Sequence, residues 1–186
     1  MRRRTEGDLD ACERIARATH GLDNYPVYLP GDLRSFLASP DAIAAWVADA
    51  GGDIVGHVAL HTRSTSAVMD LACEATGLPI ERLGFVARLV VAPGTRRAGV
   101  GRTLLGTATD EATRRGLQPV LDVVTVHQAA IRLYENAGWI LAGKVALQLE
   151  DLPRLEELVY LGPSDYPGPS DSPGPAGPAG SAGAPA

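Results

Sequence analysis

Three arginines and three glycines stand close together in the segment VAPGTRRAGVGRTLL, residues 91–105. Arg96, Arg97 and Arg102 can donate charge-assisted hydrogen bonds to a phosphate, and Gly99 and Gly101 let the backbone approach it closely. The segment lies between an apolar run and a helical pattern. Because the first amides of a helix lack internal partners and its dipole favours negative charge, such a turn can bind an anion. The alternative is an ordinary strand–helix connection with solvated arginines.

Two common phosphate-binding motifs do not fit this turn. A nucleotide-binding P-loop needs a lysine after its last glycine, where Val100 stands. A dinucleotide-binding fingerprint needs a third glycine at the position of Leu104. What remains is the pattern R-x-x-G-x-G, which begins at Arg96 and ends at Gly101. This pattern argues against a nucleotide-binding domain and leaves another phosphate-bearing ligand open.

The elements around the turn alternate between strand and helix patterns, which predicts an α/β fold. Strands are predicted at 44–50, 54–61, 85–91, 120–126, 145–149 and 158–161, and helices at 8–19, 66–76, 101–115 and 129–137. The glycines at 51 and 52 predict a hairpin, which makes its two strands antiparallel. The segments 85–91, 101–115 and 120–126 are typical of a right-handed parallel strand–helix–strand unit. The sheet is therefore expected to be mixed.

Composition predicts one folded domain and a tail. A chain of 186 residues with 45% hydrophobic residues can bury a core, and we place the domain at 1–161. The segment 162–186 is rich in Gly, Pro, Ala and Ser, which predicts a disordered tail. The net charge of −5 disfavours nucleic acid as a partner. The sequence shows neither a long apolar span nor a signal peptide, so we expect no membrane association and a cytoplasmic location.

A second motif lies downstream, in the segment VHQAAIRLYENAGW at 126–139. Together with LVVAPGTRRAGVG at 89–101, from which one helix and one strand separate it, this motif resembles the GNAT superfamily of acyl-CoA-dependent N-acyltransferases. The resemblance covers about residues 2–161. It implies the GNAT fold, a mixed central sheet flanked by helices on both faces. It also implies an acetyltransferase that moves an acetyl group from acetyl-CoA directly to a primary amine of a small molecule or protein, without a metal.

The same resemblance implies a set of cofactor-binding residues. The end of strand 85–91 would offer backbone groups to the pantetheine arm, and the turn would hold the pyrophosphate. The implied residues are Leu89, Val90, Val91, Arg96, Arg97, Ala98, Gly99, Val100, Gly101, Arg102, Thr103, His127, Ala130 and Tyr134. The family commonly has Asn where His127 stands, although an imidazole can still contact the cofactor arm.

Acetyl transfer to an amine requires two proton transfers, one from the attacking amine and one to the departing thiolate. An alkyl ammonium has a pKa of about 10.4 and must lose a proton before it can attack. Asp122, which is predicted to face the cleft, and Glu81, just before strand 85–91, are alternative bases beside a water chain. Tyr134 matches the family's general acid for the departing thiolate. Each residue also has a purely structural interpretation. Asp122 can be a hydrogen-bonded buried carboxylate, Glu81 a surface glutamate and Tyr134 a core aromatic residue.

Several alternatives stay open at this point. His57 and His61 share a strand face about 13 Å apart, too far to hold one metal ion, and are expected to be ordinary polar-face residues. The segment 62–84 is expected to shape the acceptor pocket. A GNAT-fold module that binds acyl-CoA as a sensor or partner domain, without catalysis, is the alternative function. The interpretation also admits a homodimer.

Overall fold

The computed structural model describes residues 1–95, 98–148 and 154–164. Within these ranges the strands are β1 (Arg2–Arg3), β2 (Ala42–Ala50), β3 (Asp53–His61), β4 (Leu83–Val91), β5 (Gln118–Val124), β6 (Ile140–Leu147) and β7 (Leu155–Leu161). The helices are α1 (Leu9–Asp23), α2 (Leu33–Leu37), α3 (Ser66–Thr76), α4 (Val100–Arg114) and α5 (Gln128–Glu135). Short 3-10 turns precede α1, β4 and α4. Arg96, Arg97 and most of the predicted tail lie outside the described residues.

The described strands form one mixed sheet in the order β1-β2-β3-β4-β5-β7-β6. The predicted hairpin is present, because β2 and β3 pair antiparallel on either side of Gly51 and Gly52. The predicted parallel pair is also present, between β4 and β5. β7 inserts between β5 and β6 and pairs antiparallel with both. The expectation of a mixed α/β sheet is confirmed.

Helices cover both faces of the sheet. On β2, Trp46 packs in the apolar cluster that contains α4 and α5, whereas its neighbour Val47 packs in the cluster that contains α1 and α2. On β5, Leu121 belongs to the α4–α5 side and Val120 to the side of α3. Because successive side chains of a strand point to opposite faces, α4 and α5 lie on one face and the other three helices on the opposite face.

The structure differs from the sequence predictions in several details. Asp8, the first residue of the predicted helix 8–19, lies before α1, and its carboxylate accepts hydrogen bonds from the Thr5 amide at 2.7 Å and from Arg2 at 2.7 Å. Because a guanidinium is a stronger partner than a helix amide, the Asp8 side chain does not cap α1. β1 and α2 were not predicted because both are too short to show a period. Gly162, placed in the tail, is buried and donates its amide to the Pro119 carbonyl at 2.8 Å.

The parallel pairing of β4 and β5 stops early. Their ladder joins Leu83 to Gln118, Gly84 to Pro119 and Phe85 to Val120, and the pairing ends there although both strands continue. Two residues of β4, Arg88 and Leu89, lie opposite a single residue of β3, so the strand carries a bulge at which Arg88 has φ = 56°. A bulge bends its strand and increases the local twist. The two strands separate at their carboxyl ends, and a gap opens between them.

Two glycine substitutions test the packing of β3 on α4. A Cβ at Gly56 would lie 2.8 Å from Leu104 Cδ1 and 3.0 Å from the Val90 carbonyl oxygen. Gly56→Ala should therefore lower the free energy of unfolding by about 1–3 kcal/mol. Gly106, inside α4, has open space around its Cβ position, so Gly106→Ala should raise that free energy by about 0.5–1 kcal/mol. Urea denaturation measures both, and a Gly56→Ala protein as stable as the parent would contradict the close approach.

Candidate active site

A cavity of about 470 Å³ lies where β4 and β5 separate. Its walls come from α2 and the loops on either side of it, the end of β3 and the segment that follows, the middle of β4, the end of β5, and single residues of α5 and β7. The segment 62–84, expected to shape the acceptor pocket, contributes Arg63, Ser64 and Thr65. The cavity therefore collects residues that are far apart in the sequence at the one place where the sheet is open.

Asp122 lies in this cavity, as predicted for a candidate base. It is on β5, and Ser64 donates its hydroxyl to Asp122 Oδ1 at 2.9 Å. Burial raises the pKa of Asp122 above its ordinary value, while the hydrogen bond from Ser64 and the charge of Arg88 oppose that rise. Asp122 is thus a carboxyl group within the cavity with a single hydroxyl donor.

Glu157 is a second carboxyl group in the cavity, and sequence analysis missed it. Glu157 is paired with Val124 across β5 and β7, so its side chain lies on the same face as Asp122. It is only 6% exposed, and its Oε2 has no hydrogen-bond partner in the described part of the chain. Burial, and secondarily the charge of Asp122, raises its pKa to about 7. This value makes Glu157 a group that can gain or lose a proton near neutral pH.

Glu157 was missed because the strand was predicted to begin one residue later. The pair Glu156–Glu157 precedes an apolar run, and two adjacent charged residues there favour a polar turn over a strand. The signal that could have revealed it is alternation, since Leu155, Glu157 and Val159 are spaced by two. A carboxylate on the apolar face of a strand pattern points toward the interior.

Tyr134 reaches the cavity from α5, on the other face of the sheet. It is 8% exposed, and its ring packs at a tilt against Trp139 and Tyr160 with centroids 6.3 and 6.2 Å away. Burial raises the pKa of Tyr134 well above its ordinary value, and the negative charge of Asp122 adds to the rise. The phenol is therefore protonated and can act as a hydrogen-bond or proton donor.

Glu81, the other predicted base, is not in this cavity. It is exposed on the 3-10 turn Ile80–Arg82, which precedes β4. The cavity-lining part of β4 begins at Phe85, four residues further along a strand that rises about 3.3 Å per residue. Glu81 thus lies at the wrong end of β4, because the gap between the strands opens at the carboxyl end.

His57 and His61 are buried, which corrects their interpretation as polar-face residues. Both lie on β3 on the face covered by α1, α2 and α3, and His57 is fully buried whereas His61 is 3% exposed. Burial lowers the pKa of each to about 4, so both rings are neutral at pH 7. His57 Nδ1 lies 3.0 Å from the Arg88 carbonyl oxygen, to which only a protonated nitrogen can donate. His61 lines the cavity, and its Nε2 has no partner among the described residues.

The glycine turn has the geometry of an anion site in its described part. Gly99 precedes α4 with φ = 78°, a left-handed conformation that favours glycine, and no atom lies within 4 Å of a Cβ placed there. The Thr103 amide makes the first helical bond, to the Gly99 carbonyl at 3.0 Å. The amides of Val100, Gly101 and Arg102 therefore have no acceptor within the helix. These amides and the open space above Gly99 fit a pyrophosphate.

The remaining implied cofactor residues differ in their surroundings. Leu89 lines the cavity, Val90 is buried, and Val91 and Ala130 are partly buried against the core. Arg102 donates to the Asn136 carbonyl at 3.0 Å, which joins α4 to the end of α5. Ala98 and Thr103 are exposed.

His127 stands at the start of α5, beside the loop between α1 and α2. Its ring meets Tyr25 edge to face with centroids 5.4 Å apart, and burial lowers its pKa. Its Nε2 is buried without a partner among the described residues. His127 does not line the cavity itself, but it contacts Tyr25, which does.

The comparisons with known proteins agree with this architecture. Residues 9–139 match the family model described as the acetyltransferase (GNAT) family. Because the match spans more than half of the 186 residues, the chain belongs to this family. No curated protein sequence matches the chain. The family expected from the two motifs is confirmed.

Solved structures show the same fold. The ribosomal-protein-S18-alanine N-acetyltransferase from Escherichia coli superposes with a TM-score of 0.64 at 20% identity, covering 91% of this chain and 96% of its own. An N-acetyltransferase from Staphylococcus aureus gives 0.65 at 16% identity, covering 86% and 94%. The protein yncA from Salmonella typhimurium, solved with acetyl-CoA as its cofactor, gives 0.59 at 18% identity, covering 86% and 90%. At these identities the similarity is one of fold.

Two further features of the described residues bear on other functions. None of their helices combines the length and apolar character that crossing a membrane requires. No group of three His, Cys, Asp or Glu side chains among them is arranged to hold a metal ion.

The buried carboxyl of Glu157 should make the protein less stable as pH rises. Its pKa is about 7 in the folded chain against an ordinary 4.5, so the folded state holds the proton more tightly. The free energy of unfolding should therefore fall between about pH 4.5 and pH 7. Glu157→Gln should remove this part of the slope, as measured by urea denaturation across that range. Glu156→Gln, at an exposed neighbour, should leave the slope unchanged; an identical slope in both variants would contradict the buried carboxyl.

Proposed function

We propose that this protein transfers an acetyl group from acetyl-CoA to a primary amine, directly within a ternary complex. The observation that carries the proposal is the cavity between β4 and β5, in which a buried phenol, Tyr134, shares one space with the carboxyl groups of Asp122 and Glu157. Membership of the acetyltransferase family supports the same reaction class.

The chain's own backbone would bind the acetyl donor. Beyond Phe85 the edge of β4 that faces β5 has no ladder partner, so Leu89 and Val91 can offer backbone groups to an extended arm. The amides of Val100, Gly101 and Arg102 would receive the pyrophosphate, and Arg96 and Arg97 would add charge. Acetyl-CoA supplies the acetyl group as a thioester.

The groups for the two proton transfers enter the cavity from opposite faces of the sheet. An incoming ammonium needs a base, and Glu157 becomes a carboxylate above about pH 7, with Asp122 beside it on the adjacent strand. Tyr134 is protonated and would donate to the departing thiolate. The phenol is a weak acid, so this donation depends on a thiolate being formed close to it.

A module that only binds acyl-CoA is the competing function. A binding module has no need of a carboxyl group and a phenol within one cavity, whereas an amine acetyltransferase needs both an acceptor and a donor of protons. Release of free thiol from acetyl-CoA in the presence of a panel of primary amines separates the two. Binding of acetyl-CoA without thiol release from any amine would favour the module.

Tyr134→Phe tests the acid. Removing the hydroxyl should lower kcat by about 10²-fold or more, the typical contribution of a positioned acid, while the Kd for acetyl-CoA stays within about two-fold. Thiol release and calorimetric titration measure the two quantities. Tyr160→Phe serves as the control, because that hydroxyl bonds Glu135 rather than lining the cavity. Full turnover by Tyr134→Phe would remove Tyr134 from the chemistry.

Gly99→Ala tests the anion site. A side chain at φ = 78° is strained and would occupy the open space above the free amides, so the Kd for acetyl-CoA should rise about ten-fold or more, equivalent to about 1.4 kcal/mol. Gly94→Ala, in the same turn but without a left-handed φ or a close neighbour, should leave the Kd unchanged. Equal affinities for the two variants would place the pyrophosphate elsewhere.

A further inference from the structure

The cavity carries charges of opposite sign on its two walls. Arg88 lies on the β4 wall, whereas Asp122 and Glu157 lie on the wall formed by β5 and β7. Asp41 and Arg63 also line the cavity, from the segments that follow α2 and β3. The gap between the two strands separates these walls, because the β4–β5 ladder ends at Phe85. A ligand in the gap therefore meets a cation on one side and carboxyl groups on the other.

The described residues hold Arg88 in place without forming an ion pair with it. Its backbone is in the left-handed region at the bulge, and His57 donates to its carbonyl. Its guanidinium stacks over the Phe36 ring, 3.5 Å from the centroid. Yet its Nε is buried without a hydrogen-bond partner, and no carboxylate of the described residues forms an ion pair with its guanidinium, although the charges of Asp122 and Asp41 act on it from further away. A buried N–H without an acceptor is costly, which indicates a site for a ligand that carries an acceptor group.

Two further polar atoms around the cavity have no partner within the described residues. Glu157, on the opposite wall, is 6% exposed with a free Oε2, whereas His61, on β3 beside the β4 wall, is 3% exposed with a free Nε2. Both side chains line the cavity. The carboxyl groups of the β5–β7 wall suit an ammonium group, which has three donors and no acceptor. The two walls together match a molecule that carries both charges.

We propose that the acetyl acceptor is a small amino acid-like molecule, whose carboxylate pairs with Arg88 while its amine faces Asp122 and Glu157. A planar guanidinium matches a carboxylate with two parallel hydrogen bonds. The amine then lies on the side of the base, as transfer requires. This inference rests on the proposed acetyl transfer. A cavity of about 470 Å³, covered by Tyr25 and Tyr28 of the loop after α1, is of a size for a small molecule.

Matched acceptors test the carboxylate. Thiol release from acetyl-CoA is measured with glycine, β-alanine, L-phenylalanine and L-glutamate. Each amino acid is compared with the derivative in which the main-chain carboxylate is replaced by a carboxamide. A peptide with a free N-terminus is measured as well. At least one amino acid should exceed its carboxamide by about ten-fold or more in kcat/KM, the usual value of a charge-assisted hydrogen bond. Equal rates for every pair, or transfer only to the peptide, would overturn the inference while the acetyl transfer itself stands.

Variants of Arg88 assign that preference to its side chain. Arg88→Met should bring the amino acid-to-carboxamide ratio to about one with little change in the carboxamide rate, and Arg88→Lys should restore part of the ratio. Arg154→Met, at an exposed position outside the cavity, should keep the parent ratio. Partial loss of folding lowers the rates with both acceptors equally, so it cannot produce the expected change in their ratio. If the folded Arg88→Met protein keeps the parent ratio, the inference is overturned.

Binding measurements separate this inference from the proposed reaction. Calorimetric titration of the same amino acids is carried out with the parent protein and Arg88→Met in the presence of CoA. If an amino acid binds through Arg88 but no acceptor is acetylated, the transfer is overturned and the carboxylate site stands. If none of the amino acids binds or reacts, the carboxylate site is overturned.

Discussion

The early end of the β4–β5 ladder is the constraint on which the rest of the site depends. Parallel neighbours in a sheet normally pair along their shared length, but here the pairing stops at Phe85 while β4 runs on to Val91. The bulge at Arg88 turns β4 away from β5. One irregularity thereby leaves a backbone edge for an extended ligand, an opening between the two helix-covered faces, and an arginine directed into that opening.

The polar groups around this gap cost stability that the surrounding core must offset. Arg88, His61 and Glu157 each bury an atom without a partner in the described chain, and each such atom costs about 1–3 kcal/mol. The three apolar clusters on the two faces of the sheet supply the opposing free energy. Unpaired polar atoms concentrated in one cavity of an otherwise well-packed domain are typical of a site shaped for a ligand rather than for stability.

The regular elements could be predicted because their signals are local. The helix 66–76 was predicted to its last residue, since Gly77 ends it in the left-handed conformation. β6 was predicted to begin five residues too late, because Gly143 and Lys144 interrupt its apolar pattern and only pairing with β7 makes it a strand. β7 was predicted three residues too short for a similar reason, and Glu157 was lost with it. His57 and His61 were assigned to a polar face that helices in fact cover, which no local pattern reveals.

By itself, the sequence determined the alternation of strands and helices, the glycine turn before α4, the second motif around Tyr134, and from the two motifs together the family. These features depend on residues that are neighbours in the sequence, so the sequence alone can predict them. Only the tertiary structure decided which carboxyl groups share the cavity: it brought in Asp122 and Glu157 and left out Glu81. It also decided that Arg88 Nε is buried without a hydrogen-bond partner among the described residues. Both outcomes depend on where the β4–β5 ladder ends, and strand pairing joins residues that are distant in sequence.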